Sequence, residues 1–199
     1  MVGAQEVSRH LGVAAALLLA AGSAVAQDYT VDASCRDGQP HGSYELRDAR
    51  GVVRVVGAFN RGRRTGSFIF WNGAGVRVAH LPFDDDALSG TAALWYADKG
   101  TRDEPRMKVE AMYTRGRLNG SKRSWYPDGK PRAEFAYEDG VLRSALATSE
   151  SGRPLPDSEA RSLAARDMAA DDAFYASLLD VVASHLPRCD PAGDRLEKA

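Results

Sequence analysis

The sequence has 199 residues, of which 44% are apolar and 27% are charged, and its formal net charge is −1. This length accommodates one or two domains with a hydrophobic core. The near-neutral charge argues against a protein that attracts nucleic acid through a global electrostatic field.

The first 26 residues have the layout of a secretory signal peptide. Arg9 and His10 precede the apolar run "LGVAAALLLAAG", and small residues follow up to Ala26. The run is too short to span a bilayer as a permanent helix. We therefore expect cleavage after Ala26 and a periplasmic or secreted protein that begins at residue 27. The alternative is a helix directed into the core.

Cys35 and Cys189 are the two cysteines of the chain. In an exported protein, two cysteines favour one disulfide, and the alternative is a pair of unpaired thiols. The bridge closes a loop of about 155 residues, for which chain entropy gives at most about 5 kcal/mol of stability.

Residues 27–144 contain a repeat of 24 residues that is anchored on an aromatic side chain. The anchors Phe59, Phe83, Tyr113 and Tyr137 are 24, 30 and 24 residues apart, and the longer step reflects six inserted residues in "ADKGTRDEPRM". Cys35 occupies the anchor position of an initial half-copy, which predicts that it faces inward. The repeat-defining residues are Gly42, Gly62, Gly66, Trp71, Trp95, Gly116, Gly120, Trp125, Tyr126, Gly129 and Tyr137.

Each repeat holds two β-rich runs, such as "GSFIFW" and "GVRVAHLPF", separated by glycine turns. Glycine supplies the positive φ that tight hairpin turns need, so each unit predicts a β-hairpin. Consecutive hairpins predict a mainly β fold, an antiparallel meander of about nine strands. The tryptophans are expected about 10 Å apart, either packing hairpin on hairpin or stacking on sugars or peptides.

Alternate residues of the predicted strands separate an apolar face from a polar one. Val55, Leu81, Ala111 and Phe135 belong to the apolar face, which we expect to be buried. The opposite face is either solvated or a binding surface, and Arg61, Arg63 and Arg64 form a basic loop with the same two interpretations. The candidate binding residues are Arg61, Arg63, Arg64, His80, Lys108, Glu110, Arg132 and Glu134.

The stretch "GRLNGSKRSWYPDGKPRAEFAYEDGVL" resembles the bacterial variant of the MORN repeat. The matching residues are Gly116, Gly120, Trp125, Tyr126, Asp128, Gly129, Lys130 and Tyr137. The resemblance covers about residues 36–144 and implies a hairpin-repeat fold, whereas it says little about function. Proteins with such arrays are often labelled antitoxins. With an export signal, the resemblance fits an immunity protein against a periplasmic toxin, or a binding module of the cell envelope.

Residues 145–199 predict a linker followed by a helical cap. "DSEARSLAARDM" is expected to form a first helix capped by Asp157 or Ser158, and "DDAFYASLLDVVASHL" a second one opened by Asp171 or Asp172. A meander leaves one apolar face open, and repeat arrays need caps. We therefore expect these helices against one end or one face of the sheet, with Cys189 joined to Cys35.

No sequence motif indicates catalysis or a cofactor. The chain lacks HExxH, GxSxG and phosphate-loop patterns, and the acidic stretch 84–86 is better explained as a solvated turn than as a calcium site. We expect a non-enzymatic protein that binds another protein. The alternatives are an immunity protein, a structural role at the cell wall or membrane surface, and an enzyme if His80, Glu110 and Glu134 meet in a deep cleft.

Overall fold

The structure is a computed structural model that describes residues 28–99 and 105–190. The predicted signal peptide, residues 100–104 of the insertion and the residues after Asp190 lie outside the described residues. In the described part, one open antiparallel sheet follows the chain order and one helix comes after it. The strands are β1 Tyr29–Arg36, β2 Gln39–Asp48, β3 Val53–Asn60, β4 Arg63–Trp71, β5 Arg77–Asp84, β6 Ala87–Leu88, β7 Gly90–Lys99, β8 Pro105–Thr114, β9 Arg117–Trp125, β10 Pro131–Glu138 and β11 Val141–Ala147, and the helix is α1 Asp157–Ser184.

The sheet confirms the predicted meander, with ten successive strands and the short β6 paired to β5 at one side. The apolar face predicted from the repeat is buried: Val55, Leu81, Ala111 and Phe135 are each at most 1% exposed. Aromatic side chains fill the core under β2 to β5, where Phe68 makes edge contacts with Phe59 and Phe83. Gly57 belongs to this packing, because a Cβ at that position would lie 2.5 Å from the Phe68 ring.

The repeat is held together by hydrogen bonds that recur at its period. Five tight turns along one side of the sheet have positive φ at both central residues, as at Arg61 (49°) and Gly62 (78°). The second residue of a turn donates its N–H to a carbonyl of the preceding hairpin. These bonds run from Gly62 to Pro40, from Asp86 to Arg64, from Gly116 to Leu88 and from Gly140 to Leu118.

A single helix replaces the two that the sequence predicted. Asp171 and Asp172, expected to open a second helix, lie within α1, and Asp171 is buried. Pro156 stands at the N-terminal cap, and neither Asp157 nor Ser158 caps the helix through its side chain. Asp171 therefore forms an ion pair with Lys122 of the sheet instead of the helix cap that was expected. The helix lacks the length and apolar character needed to cross a bilayer, as far as the described residues go.

The helix crosses the apolar face of the sheet from the last strands to the first. Its 28 residues span about 42 Å, and ten strands span about 43 Å, so the helix matches the width of the sheet. Contacts of the helix join Arg132 to Asp167, Lys122 to Asp171 and Tyr113 to Tyr175. The segment after it continues the series, from Tyr44 to His185 and from Cys35 to Cys189. The helix therefore caps one face of the array, and no element of the described residues covers the opposite face.

The predicted disulfide is present. Cys35 of β1 and Cys189 are bonded with their Cα atoms 5.7 Å apart, and Cys35 is 8% exposed. The bridge joins the segment after the helix to the first strand. A disulfide is consistent with an exported protein.

Candidate binding surface

The open face carries one continuous row of side chains, which we call the outer row. Cross-strand pairing places one residue of each long strand directly beside the next. The outer row consists of Asp32, Glu45, Val56, Ile69, His80, Ala93, Glu110, Arg123, Glu134 and Leu146. Three of the predicted binding residues, His80, Glu110 and Glu134, thus share one row across the open face.

The centre of the outer row is apolar. Val56 and Ile69 are half-buried, and Ala93 is buried against its neighbours on the open face. Val78, which the alternation of its strand assigned to the polar face, is 6% exposed and belongs to the buried core instead, because the pairing register shifts at this position between Phe70 and Trp71. The apolar patch of Val56, Ile69 and Ala93 suits contact with another surface rather than with solvent alone.

His80 lies at the edge of this apolar centre. Its Nε2 atom is 2.9 Å from the hydroxyl of Ser67. Burial, and secondarily the positive charge of Arg77, lower the pKa of His80 below its ordinary value of 6.5. The neutral imidazole is therefore favoured, with Ser67 as its hydrogen-bond partner.

The C-terminal half of the outer row is charged. Arg123 lies opposite Glu110 on one side and Glu134 on the other, with its Nε 3.4 Å from the Glu134 carboxylate. Met112, two residues along β8 from Glu110, is 45% exposed on the same side of that strand. Lys108 departs from its predicted place on the open face, because the pairing register shifts at this position and Lys108 lines the cleft beneath the helix with Asp167 and Asp171. Arg123 was not among the predicted residues, although Glu110 and Glu134, which are one 24-residue period apart, lie on the two strands that flank it.

Arg132 departs from its predicted place on the open face. A register shift between Pro131 and Ala133 turns it toward the helix, where its guanidinium contacts both carboxylate oxygens of Asp167 at 2.5 and 2.9 Å. Hydrogen bonding to Asp167 raises the pKa of Arg132. Arg132 therefore attaches the helix to the sheet and does not belong to the open face.

The basic loop is paired with the acidic stretch of the next hairpin. Arg63 forms an ion pair with Asp85, and Arg64 Nε lies 2.7 Å from the Asp86 carboxylate. The Arg64 guanidinium also stacks over the Phe83 ring at 4.6 Å. Two of the three loop arginines are therefore engaged in turn-to-turn contacts, and Arg61 is exposed at the turn. Each pair is separated by 22 residues, close to the 24-residue period that places successive turns side by side.

Aromatic residues at the Trp-Tyr position of the repeat connect neighbouring hairpins. Tyr96 and Tyr126 donate their hydroxyls to the carbonyls of Trp125 and Thr148, one hairpin further along, at 2.8 and 2.7 Å. The Arg77 guanidinium stacks over the Trp95 ring at 3.9 Å. The tryptophans are half-buried at positions 71, 95 and 125. These contacts give the Trp and Tyr positions a role in joining hairpins.

A buried ion pair under the helix was not predicted from the sequence. Lys122, 1% exposed, points from β9 toward Asp171 of α1, and its Nζ lies 2.6 Å from Asp171 Oδ2. The two atoms are in ionic contact without the alignment of a hydrogen bond. A cleft of about 300 Å³ adjoins the pair and is also lined by Tyr96, Lys108 and Arg132. The alternation of buried and exposed residues along β9 places Lys122 on the buried face. This alternation was the feature of the sequence that could have indicated a buried lysine.

The described residues contain no group of three or more His, Cys, Asp or Glu side chains placed to hold a metal ion. His80, Glu110 and Glu134 lie along an open row, separated by intervening strands, rather than around a cleft. The open face is a broad row of side chains across the sheet. In comparisons with known proteins, no family model matches the chain, and no curated protein matches it.

Proposed function

We propose that the protein is an exported, non-enzymatic, MORN-like repeat protein that binds another protein in the periplasm or outside the cell. The open face of the sheet is the binding surface in this proposal. The observation that supports it is that the two faces of the sheet differ in what covers them. One face is covered along its whole width by α1, whereas the other presents the outer row without a covering element in the described part of the chain.

The dimensions of the open face support a protein partner. Ten strands of about eight residues give a face of roughly 1,100 Å². A standard protein interface takes about 800 Å² from each partner, so the face is large enough for one. Its apolar centre and charged flank resemble the apolar core and polar rim of such interfaces.

Affinity capture from envelope extract, with matched variants, tests the proposal. Ile69→Lys places a charge in the apolar centre of the outer row. Met168→Lys makes the same kind of change on the exposed side of α1, where Met168 is 37% exposed. We expect one protein to be retained by the wild type and by Met168→Lys, and lost with Ile69→Lys. Thermal unfolding of both variants checks that the fold is kept.

Capture of the same proteins by all three forms would contradict the assignment of the open face. An absence of any retained protein would contradict the protein-binding function itself and favour a role at the cell wall or membrane surface.

A further inference from the structure

A β-bulge recurs in each repeat, five residues before the aromatic anchor. The bulge residues are Arg54, Val78, Lys108 and Arg132, and each is skipped by the pairing with the preceding strand. A bulge interrupts the alternation of its strand and can aim a side chain at the other face. Val78 accordingly joins the buried core, and Arg132 contacts Asp167 of α1. The same bulge brings Lys108 to the helix side of the sheet.

Lys108 differs from the two bulge arginines in its partner. Arg54 Nη1 lies 3.7 Å from Asp48 Oδ2, and Arg132 is paired with Asp167. Among the described residues, no carboxylate lies within ion-pair distance of Lys108. Lys108 is exposed and lines the cleft of about 300 Å³ beneath the helix. The backbone of the bulge therefore holds an ammonium group, accessible to solvent, at the wall of a cleft.

The side chains that line the cleft, together with Lys122 beneath it, leave one positive charge in excess. Arg132 with Asp167, and Lys122 with Asp171, are two ion pairs without net charge. Lys108 adds a third cation to this set. A ligand with one negative charge would balance it, whereas a second negative charge would be repelled by the two aspartates.

The other walls of the cleft are aromatic and apolar. The Tyr96 hydroxyl donates to the carbonyl of Trp125 at 2.8 Å, which holds the Tyr96 ring in place. Val109, 4% exposed, and Ala170 of α1 add apolar lining. A fixed aromatic ring favours a flat ligand that stacks on it. One charged group in apolar surroundings is typical of small-molecule sites, and this volume lies at the lower end of their range.

We propose that the cleft binds a small organic monocarboxylate with a flat apolar body. Its carboxylate accepts from the Lys108 ammonium, which acts as a point charge, and its body lies against Tyr96 and Val109. The site lies on the helix side of the sheet. It does not depend on the open face or on a protein partner, so its test does not decide the proposed protein-binding function.

Benzoate, benzamide and phenyl phosphate are the probes, because they share one ring and differ in charge. Each is titrated into the purified protein while NMR amide chemical shifts are followed. We expect benzoate to shift the amides of Val109, Ser124 and Ala170 saturably. Neutral benzamide should bind at least about tenfold more weakly, because it has no charge to pair with Lys108. Phenyl phosphate carries about two negative charges at neutral pH and should also bind more weakly than benzoate.

Three lysine variants provide the controls. Lys108→Met keeps the length of the side chain without its charge and should weaken benzoate binding at least about tenfold. Lys108→Arg keeps the charge and should retain most of the binding. Lys130→Met removes an exposed lysine that is paired with Asp128 outside the cleft, and should bind benzoate like the wild type. The amide spectra also check that each variant is folded.

The absence of saturable benzoate shifts at the cleft amides would overturn the proposal. Equal affinity for benzoate and benzamide, or benzoate binding that is unchanged in Lys108→Met, would show that the charge of Lys108 does not select the ligand and would overturn it too. Tighter binding of phenyl phosphate than of benzoate would overturn the assignment to a monocarboxylate.

Discussion

Among the described residues, Lys122 and Asp171 form the one ion pair between the sheet and the helix in which both side chains are buried, with exposures of 1% and 6%. Removing one partner of such a pair leaves an uncompensated buried charge, which typically costs about 3–5 kcal/mol. We therefore predict that Lys122→Met lowers the free energy of unfolding by about that amount, measured by urea denaturation.

The double variant Lys122→Met/Asp171→Leu should recover most of this loss, because an apolar pair of similar volume carries no desolvation cost. Arg117→Met serves as the exposed control: its ion pair with Asp139 is solvent-accessible, and its loss should cost less than about 1 kcal/mol. A double variant as unstable as the single one would argue that the pair contributes more than charge balance.

His80 gives the protein a pH-dependent component of stability. Its pKa is lowered in the folded state, chiefly by burial and then by the charge of Arg77. Protonation therefore favours the unfolded chain, so the stability from the neutral imidazole is fully present above the unfolded pKa of about 6.5 and is lost as pH falls through the lowered folded pKa.

We predict that the wild type loses more unfolding free energy between pH 7 and pH 5 than His80→Gln does. Asp48, Asp86 and Asp128 have lowered pKa values, below the ordinary 3.8, and so titrate below this window in both proteins. Parallel pH curves for the two proteins would mean that another group sets the dependence.

At the scale of the elements, α1 depends on its two ends. Its start is tied to the sheet by Arg132 and Asp167, and the segment after its end is tied by the Cys35–Cys189 bridge. Between these ties the helix buries few apolar side chains, chiefly Tyr175 and Val182 beside two alanines. The disulfide therefore stabilises packing that the helix's own apolar surface supports only in part.

We predict that Cys35→Ser/Cys189→Ser lowers the free energy of unfolding by up to about 5 kcal/mol. The loss should be local as well as global, with faster amide exchange over the last two turns of α1 and little change at the buried strands β4 and β5. Amide exchange that becomes faster by the same factor across the sheet and the helix would contradict a local role of the disulfide at the helix end.

The elements were predictable to the extent that the repeat period encoded them. The glycine and aromatic spacings gave the hairpins, the buried face and the inward Cys35, because these features are set within one repeat. The continuity of α1 was not predictable, since Asp171 reads locally as a helix cap and only Lys122, 49 residues earlier, makes it a buried partner. Arg132 was misplaced because a local register shift changes the side of the sheet on which a residue lies.

At the scale of the whole molecule, the two faces of the sheet differ in what covers them. The helix and disulfide cover the aromatic face, which leaves the outer row as the broad exposed surface in the described chain. The sequence indicated this face through His80, Glu110 and Glu134, but it did not reveal that they share one row, because pairing register depends on bulges in almost every ladder. The pairing of Arg63 and Arg64 with the next hairpin likewise needed the period to be combined with the turn geometry.

Hydroxyl-radical footprinting of the protein with and without its captured partner tests the central claim most directly. Met112 on the open face and Met168 on the helix are oxidisable side chains of similar exposure, 45% and 37%. The account predicts that the partner protects Met112 while the oxidation of Met168 stays unchanged. Protection of Met168 with Met112 still reactive would contradict it and move the binding surface to the helix side.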